Sequence, residues 1–157
     1  MQDMKPADIV GDWREHRLPL HGHGIRRVLV SGIETPFPNG RLIVSRTDLR
    51  GVITQVNRSF VEMSGYSEQE LVGSQHSIVR HPDMPAEIFR ALWETIQSGR
   101  TWQGYLKNLR KDGGYYWVKA TVIPNVRAGR VVGYTSVRRK PSREMVDQTQ
   151  ALYCSRL

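Results

Sequence analysis

The chain of 157 residues contains one cysteine, Cys154, near its C-terminal end. A single thiol excludes an internal disulfide framework and a cysteine-rich zinc site. Nothing approaches the roughly 18 consecutive apolar residues of a membrane span, and the first residues lack the apolar core of a signal peptide. The sequence therefore reads as a cytoplasmic chain without a membrane span. It also lacks a nucleophile–base pair, paired carboxylates and a glycine-rich phosphate loop, so it offers no catalytic residues and does not read as an enzyme. No helix-turn-helix, zinc-finger or RNP pattern accompanies the calculated isoelectric point near 10.1, which speaks against nucleic acid.

What is present begins with charge. Residues 1–34 carry five basic and five acidic side chains, and 141–157 carry two of each. The formal excess of +8 thus lies wholly within 35–140, with 16 basic against 8 acidic residues. The basic residues are scattered, and the one compact run, Arg138-Arg139-Lys140, reads as a solvated strand end. With 39% hydrophobic and 24% charged residues, the chain can bury a single core.

Three parts follow from local signals. Residues 1–34 form an N-terminal extension, weakly helical around Ile9, Val10 and Trp13, then broken by Pro19 and His21-Gly22-His23-Gly24. That pattern predicts a flexible linker. His16, His21 and His23 have no accompanying cysteine or carboxylate pattern, so no metal site is expected there. Pro36, Pro38, Asn39 and Gly40 mark a boundary, and a domain spans 35–140.

Within it, Arg41 to Arg46 and Val52 to Val56 predict a hairpin. Asn57 is placed to cap a short helix ended by Gly65, and Ser67 with Glu70 has the form of a capping box. Ile88, Phe89, Leu92, Trp93 and Ile96, spaced at three and four, predict an amphipathic helix over 85–98 that Gly99 ends. Three alternating strands then run from Thr101, Tyr115 and Arg130. Residues 141–157 form a C-terminal segment, with Ser142 as cap and Met145, Thr149 and Leu152 as its apolar stripe.

One short segment concentrates the chemistry. His76-Ser77-Ile78-Val79-Arg80-His81-Pro82-Asp83-Met84-Pro85-Ala86 holds two histidines, an arginine and an aspartate between residues that forbid a continuous helix. A rigid loop that projects charge is better suited to binding than to spacing elements apart. On the strand from Thr101, Trp102, Gly104, Leu106 and Asn108 share one face. A glycine beside a buried amide leaves room and an unmet hydrogen bond, which suits a planar, hydrogen-bonding ligand.

The run Asn57-x-x-Phe60-x-x-x-x-Gly65-Tyr66-x-x-x-Glu70-Leu71-x-Gly73 resembles the core of PAS sensory domains. With Val79-Arg80-His81-Pro82-Asp83-Met84-Pro85 after it, the chain is similar to the aerotaxis-receptor branch, whose PAS domain holds FAD. Trp102-Gln103-Gly104, Lys107-Asn108 and Lys111-Asp112-Gly113-Gly114-Tyr115-Tyr116-Trp117-Val118 agree, and the resemblance covers about 34–139. It implies an α+β PAS fold, a five-stranded antiparallel sheet with short helices covering one face.

The resemblance also implies roles. Asn57 and Asn108 would hydrogen-bond the polar edge of the flavin, and Trp102 would pack on its ring. Arg80 would meet the pyrophosphate or a ring carbonyl through its planar fork, while His81 and Asp83 would orient the loop and hold the ribityl or adenylate end. His76 ranks as structural. A light sensor of the LOV type needs a thiol beside the flavin, and Gly73-Ser74-Gln75-His76-Ser77 has none. A haem sensor using His76 or His81, and a cofactor-free interaction module, are the alternatives. The aerotaxis-receptor family continues into membrane-anchor, HAMP and methyl-accepting regions that are not in this sequence. The expected output is therefore a separate chemoreceptor or kinase, or a second copy docked through Gln103, Tyr105, Lys107 and Leu109, unless the sequence is a piece of a longer protein.

Overall fold

Asn57 ends the first hairpin of the domain and opens its first helix. Its backbone is extended (φ −95°, ψ 171°) and its side chain accepts from the Phe60 N–H, as an N-cap must. In the computed structural model, which describes residues 1–155, the hairpin is β3 (Ile43–Thr47) and β4 (Ile53–Val56), numbered after an N-terminal pair given below. The helix is α1 (Arg58–Ser64), ended by Gly65 at φ 77°, where a left-handed residue is required. Ser67 and Glu70 close a capping box on α2 (Glu68–Leu71). A 3-10 turn at His76–Val79 leads into α3 (Ala86–Gln97).

Three long strands complete the sheet: β5 (Trp102–Leu109), β6 (Tyr115–Arg127) and β7 (Arg130–Arg139). The strand order is β4-β3-β7-β6-β5, with every pair antiparallel. α1 to α3 lie over one face, here the inner one. Its apolar fill includes Ile43, Phe60, Leu71, Val118 and Ala120, all fully buried.

The other face is also covered. α4 (Arg143–Cys154) starts at Ser142, which accepts from the Met145 N–H. Its Tyr153 hydroxyl donates to the Tyr105 carbonyl at 2.9 Å, and its ring packs near Trp117. The buried positions are Val146, Thr149 and Tyr153, whereas Leu152 is 50% exposed. The expected stripe of Met145, Thr149 and Leu152 is thus rotated, because Tyr153 rather than Leu152 reaches the sheet. Residues 156–157 of the expected C-terminal segment lie outside the described residues. Lys107 and Leu109 are buried, so the outer face of β5 is not the open docking surface that alternation suggests.

The flexible linker expected over 1–34 is corrected as well. β1 (Arg14–Leu20) and β2 (Gly24–Val30) pair as a hairpin. Leu18, Leu20, Val28 and Leu29 bury their side chains with Met4 and with Leu109 of the sheet. Arg26, 3% exposed, donates to the Ile78 carbonyl at 2.8 Å and to the Tyr66 hydroxyl at 3.0 Å. Apolar burial on two alternating strands outweighs the glycines, which serve the turn between them. No helix among the described residues is long and apolar enough to cross a membrane.

Candidate ligand-binding site

Alternation along β5 builds the site. Trp102, Gly104, Leu106 and Asn108 face inward, opposite Val122, Ala120, Val118 and Tyr116 of β6. On β7 and β3 the same face carries Arg138, beside Ala120 and Ile43, and Ser45, beside Ser136. Asn108, Tyr116, Arg138 and Ser45 come from four successive strands and form a buried polar row. His76 adds to its end.

The row is hydrogen-bonded at that end. Arg138 Nη2 donates to Ser45 Oγ at 2.8 Å, and Ser45 Oγ lies 2.9 Å from His76 Nε2. Which of Ser45 Oγ and His76 Nε2 donates depends on the imidazole tautomer, since the hydroxyl can give its hydrogen or accept a second bond. Burial, reinforced by Arg138, draws the His76 pKa down to about 3. The Arg138 guanidinium lies 4.2 Å from the Phe60 ring centroid, and burial draws it down to about 10. Burial pushes the Tyr116 phenol up, opposed by Arg138 and by the Asn108 amide. Asn108 Nδ2 sits beside that hydroxyl without completing a bond of good geometry.

The row is short of acceptors. Among the described residues, Asn108 Nδ2, the Tyr116 hydroxyl, Arg138 Nε and Nη1, and Arg80 Nε are buried without a hydrogen-bond partner. Four of these are N–H groups and the fifth can donate. Each unmet donor costs about 1–3 kcal/mol. Clustered on one face, they fit a ligand rich in acceptors.

The loop divides its side chains between two sides. Arg80 pairs backbone to backbone with Asn108 along the free edge of β5, and its guanidinium lies 4.5 Å from the Phe89 ring centroid, on the inner side. Burial lowers the pKa of Arg80. His81 faces the other way and meets Tyr115 edge-on at 6.0 Å. Its Nδ1 accepts from the Asp83 N–H at 3.0 Å, and burial, with Lys107 adding, draws it down to about 3. Lys107 Nζ donates to Asp83 at 2.8 Å while lying 4.2 Å from the Tyr115 ring centroid. Burial would raise the Asp83 carboxyl, but the hydrogen bond from Lys107 and the charges of His81, Lys107 and His16 together hold it below its ordinary value.

Arg80, Trp102 and Asn108 are therefore brought together on the inner side. Trp102 lies across Gly104, where an added Cβ would come 2.5 Å from its Cη2. His81 and Asp83 brace the loop from the outer side. Asn57 does not join the row, because its amide is committed to backbone. Oδ1 accepts from the Phe60 and Val44 N–H groups, both at 3.1 Å, and Nδ2 donates to the Leu42 carbonyl at 2.9 Å. Arg138, expected at a solvated strand end, is 1% exposed. The signal for it was parity, since Tyr134, Ser136 and Arg138 share a face of β7. A cleft of about 540 Å³ lined by Met4, Arg26, Tyr66, Ile78 and Lys111 shares no residue with the row.

Comparison with known proteins agrees with this architecture. The family model described as PAS fold matches residues 53–138. The chain is 44% identical over 119 residues to the aerotaxis receptor of Escherichia coli (strain K12), a match covering 76% of this chain and 24% of that protein. It is 31% identical over 106 residues to the nitrogen fixation regulatory protein of Klebsiella pneumoniae, covering 67% and 21%. The chain thus spans about a quarter or less of the length of these curated relatives. Among solved structures, the blue-light photoreceptor Aureochrome1 LOV superposes with a TM-score of 0.62 at 23% identity, covering 68% of this chain and 90% of that one. A PAS domain from Colwellia psychrerythraea gives 0.55 at 23% identity, covering 65% and 87%. At such identities these structures speak for the fold alone.

Proposed function

The chain belongs to the PAS family, and on that premise we propose that it is a sensor domain that holds FAD non-covalently and reports redox state or oxygen to a signalling protein. The observation that carries this reading is the set of buried, unpaired donors on the inner face. A flavin presents two ring carbonyls and ring-nitrogen acceptors along one edge, and FAD adds a pyrophosphate, so the donor set fits it. Asn108 would bond the ring edge, and Arg80 a carbonyl or the pyrophosphate through its fork. Trp102 would supply an aromatic surface for the ring. His81 and Asp83 would act through the loop, with Lys107 as the anchor that keeps Arg80 turned inward. When bound, the flavin supplies reversible electron uptake, and the protein makes no product.

A thiol adduct of the LOV kind does not fit, because Cys154 is exposed on α4, which packs on the outer face. Haem would need an imidazole nitrogen turned to the inner side, whereas His76 Nε2 is engaged by Ser45 and the unpaired Nε2 of His81 belongs to a ring that packs on Tyr115, on the outer side. A receptor or kinase signalling protein as partner and a cytoplasmic setting belong to this reading, supported by likeness to a protein that is itself an aerotaxis receptor. The visible spectrum of gently purified protein tests the reading. Yellow protein that releases FAD on heating is expected. A sharp haem band, or colourless protein that takes up no added FAD, would remove it.

A further inference from the structure

Arginines that the ligand site does not use gather at one end of the sheet. β6 and β7 run on beyond their neighbours there, since β6 has its last β5 partner at Val122 and β7 its first β3 partner at Tyr134. Residues 123–133 therefore stand out as a two-stranded tip, closed by Ala128 and Gly129, both left-handed (φ 50° and 76°). The turn between β3 and β4 lies beside its base, because a Cβ on Gly133 would come 2.3 Å from the Thr47 carbonyl oxygen. The connection from α3 to β5, residues 98–101, reaches the same end through Trp102, the partner of Val122.

Arg46, Arg50, Arg100, Arg127 and Arg130 stand on these three segments, and all are exposed. None of them forms a salt bridge among the described residues. The one carboxylate on the segments is Asp48, whose Oδ1 accepts from the Arg50 and Val52 N–H groups. α3 adds Arg90 and Glu94, whose charges cancel. Arg127 and Arg130 are direct partners across the tip, and like charges so placed destabilise a hairpin. The same segments expose Leu49, Ile123, Val126 and Val132, each 41% to 65% accessible, and contain no aromatic residue.

We infer that this end of the sheet docks on an anionic lipid bilayer, with the arginines on lipid phosphates and the aliphatic tips in the headgroup boundary. Guanidinium forks match phosphate oxygens, and apolar side chains set among cations gain by leaving water where the acyl chains begin. Lipid phosphate would also relieve the repulsion between Arg127 and Arg130. Duplex nucleic acid would reward the arginines but leave four aliphatic side chains in water. A single strand would call for stacking aromatics, which the segments lack. The surface is separate from the flavin site, and the inference does not rest on the flavin reading.

Co-sedimentation of the 157-residue chain with vesicles of phosphatidylcholine, with and without phosphatidylglycerol, tests the inference. Wild type should bind vesicles that contain phosphatidylglycerol, lose most of that binding in high salt, and ignore phosphatidylcholine alone. At roughly fivefold per arginine, Arg127→Gln with Arg130→Gln should weaken binding roughly twenty-fivefold. Arg41→Gln with Arg58→Gln removes the same charge from arginines paired with Glu62, at the opposite end, and should weaken it less than about threefold. Val126→Ser with Val132→Ser keeps every charge and should still weaken binding at least about fivefold. Wild type that ignores both kinds of vesicle, or binds them equally, would overturn the inference. So would an Arg127 and Arg130 variant no weaker than the Arg41 and Arg58 variant, or a valine variant equal to wild type. Tighter binding to a DNA duplex or to polyglutamate than to the vesicles would overturn it as well, and assign the surface to nucleic acid or to an acidic protein. The FAD content of the protein has no bearing on these outcomes.

Discussion

Arg80 and Asn108 pair backbone to backbone across the free edge of β5, and each holds a buried nitrogen that no other group among the described residues satisfies. One belongs to the charged loop and the other to the sheet, so a ligand that bonds both would tie loop to sheet. Arg80→Ala removes a charged donor worth about 1.5–3 kcal/mol, and should weaken FAD binding roughly ten- to hundredfold. Asn108→Ala removes a neutral donor worth about 1 kcal/mol, or roughly fivefold. Titration of each folded variant with FAD checks both. Wild-type affinity in both variants would place the ligand elsewhere.

Asn57 should behave differently, since its amide serves Phe60, Val44 and Leu42. Loss of this cap in Asn57→Ala should cost about 1–2 kcal/mol of stability. FAD affinity of the folded protein should stay within about twofold of wild type. Chemical denaturation and FAD titration separate the two effects. Preserved stability with lost affinity would restore Asn57 to the ligand site.

The N-terminal hairpin should prove part of the folded body. Arg26→Ala leaves the Ile78 carbonyl and the Tyr66 hydroxyl without their donor. At about 1–3 kcal/mol for such groups, and roughly 2–4 °C per kcal/mol in a chain of this size, the melting temperature should fall by several degrees. An unchanged melting curve would show that the hairpin is only loosely held.

His76 and His81 set a pH dependence. Both have folded-state values near 3, below the ordinary 6.5, because burial disfavours their charged forms. The unfolded chain therefore binds protons that the folded one refuses, and stability present above pH 6.5 is lost as pH falls towards 3. The slope is at most about 1.4 kcal/mol per pH unit for each ring. Urea midpoints on either side of pH 6.5 should show this loss, and His76→Gln should flatten it. An equal slope in both proteins would mean that His76 does not stay neutral.

Caps, turns and periodic segments were legible in the sequence because they are local. Asn57, Gly65, Ser67 with Glu70, and Ser142 each act on backbone within a few residues, and each stands where local rules put it. The inward face of β5 was legible by the same alternation. Arg138 was not, because a basic run at a strand end reads as solvated until the register with Ile43 and Ala120 places it beneath α1. Nor was the hairpin, whose burial depends on Leu109, some eighty residues away in the chain. Asn57 could be read as both cap and ligand contact. Only the bonds to Val44 and Leu42, residues more than ten positions distant, commit its whole amide.

Equilibrium titration of flavin-free protein with FAD, followed by flavin fluorescence, tests the central claim most directly. Saturable binding of one FAD per chain is expected in wild type, weakened in Arg80→Ala and Asn108→Ala and kept in Asn57→Ala. Wild-type protein that is folded, free of any other cofactor and gives no saturable FAD binding would contradict the account.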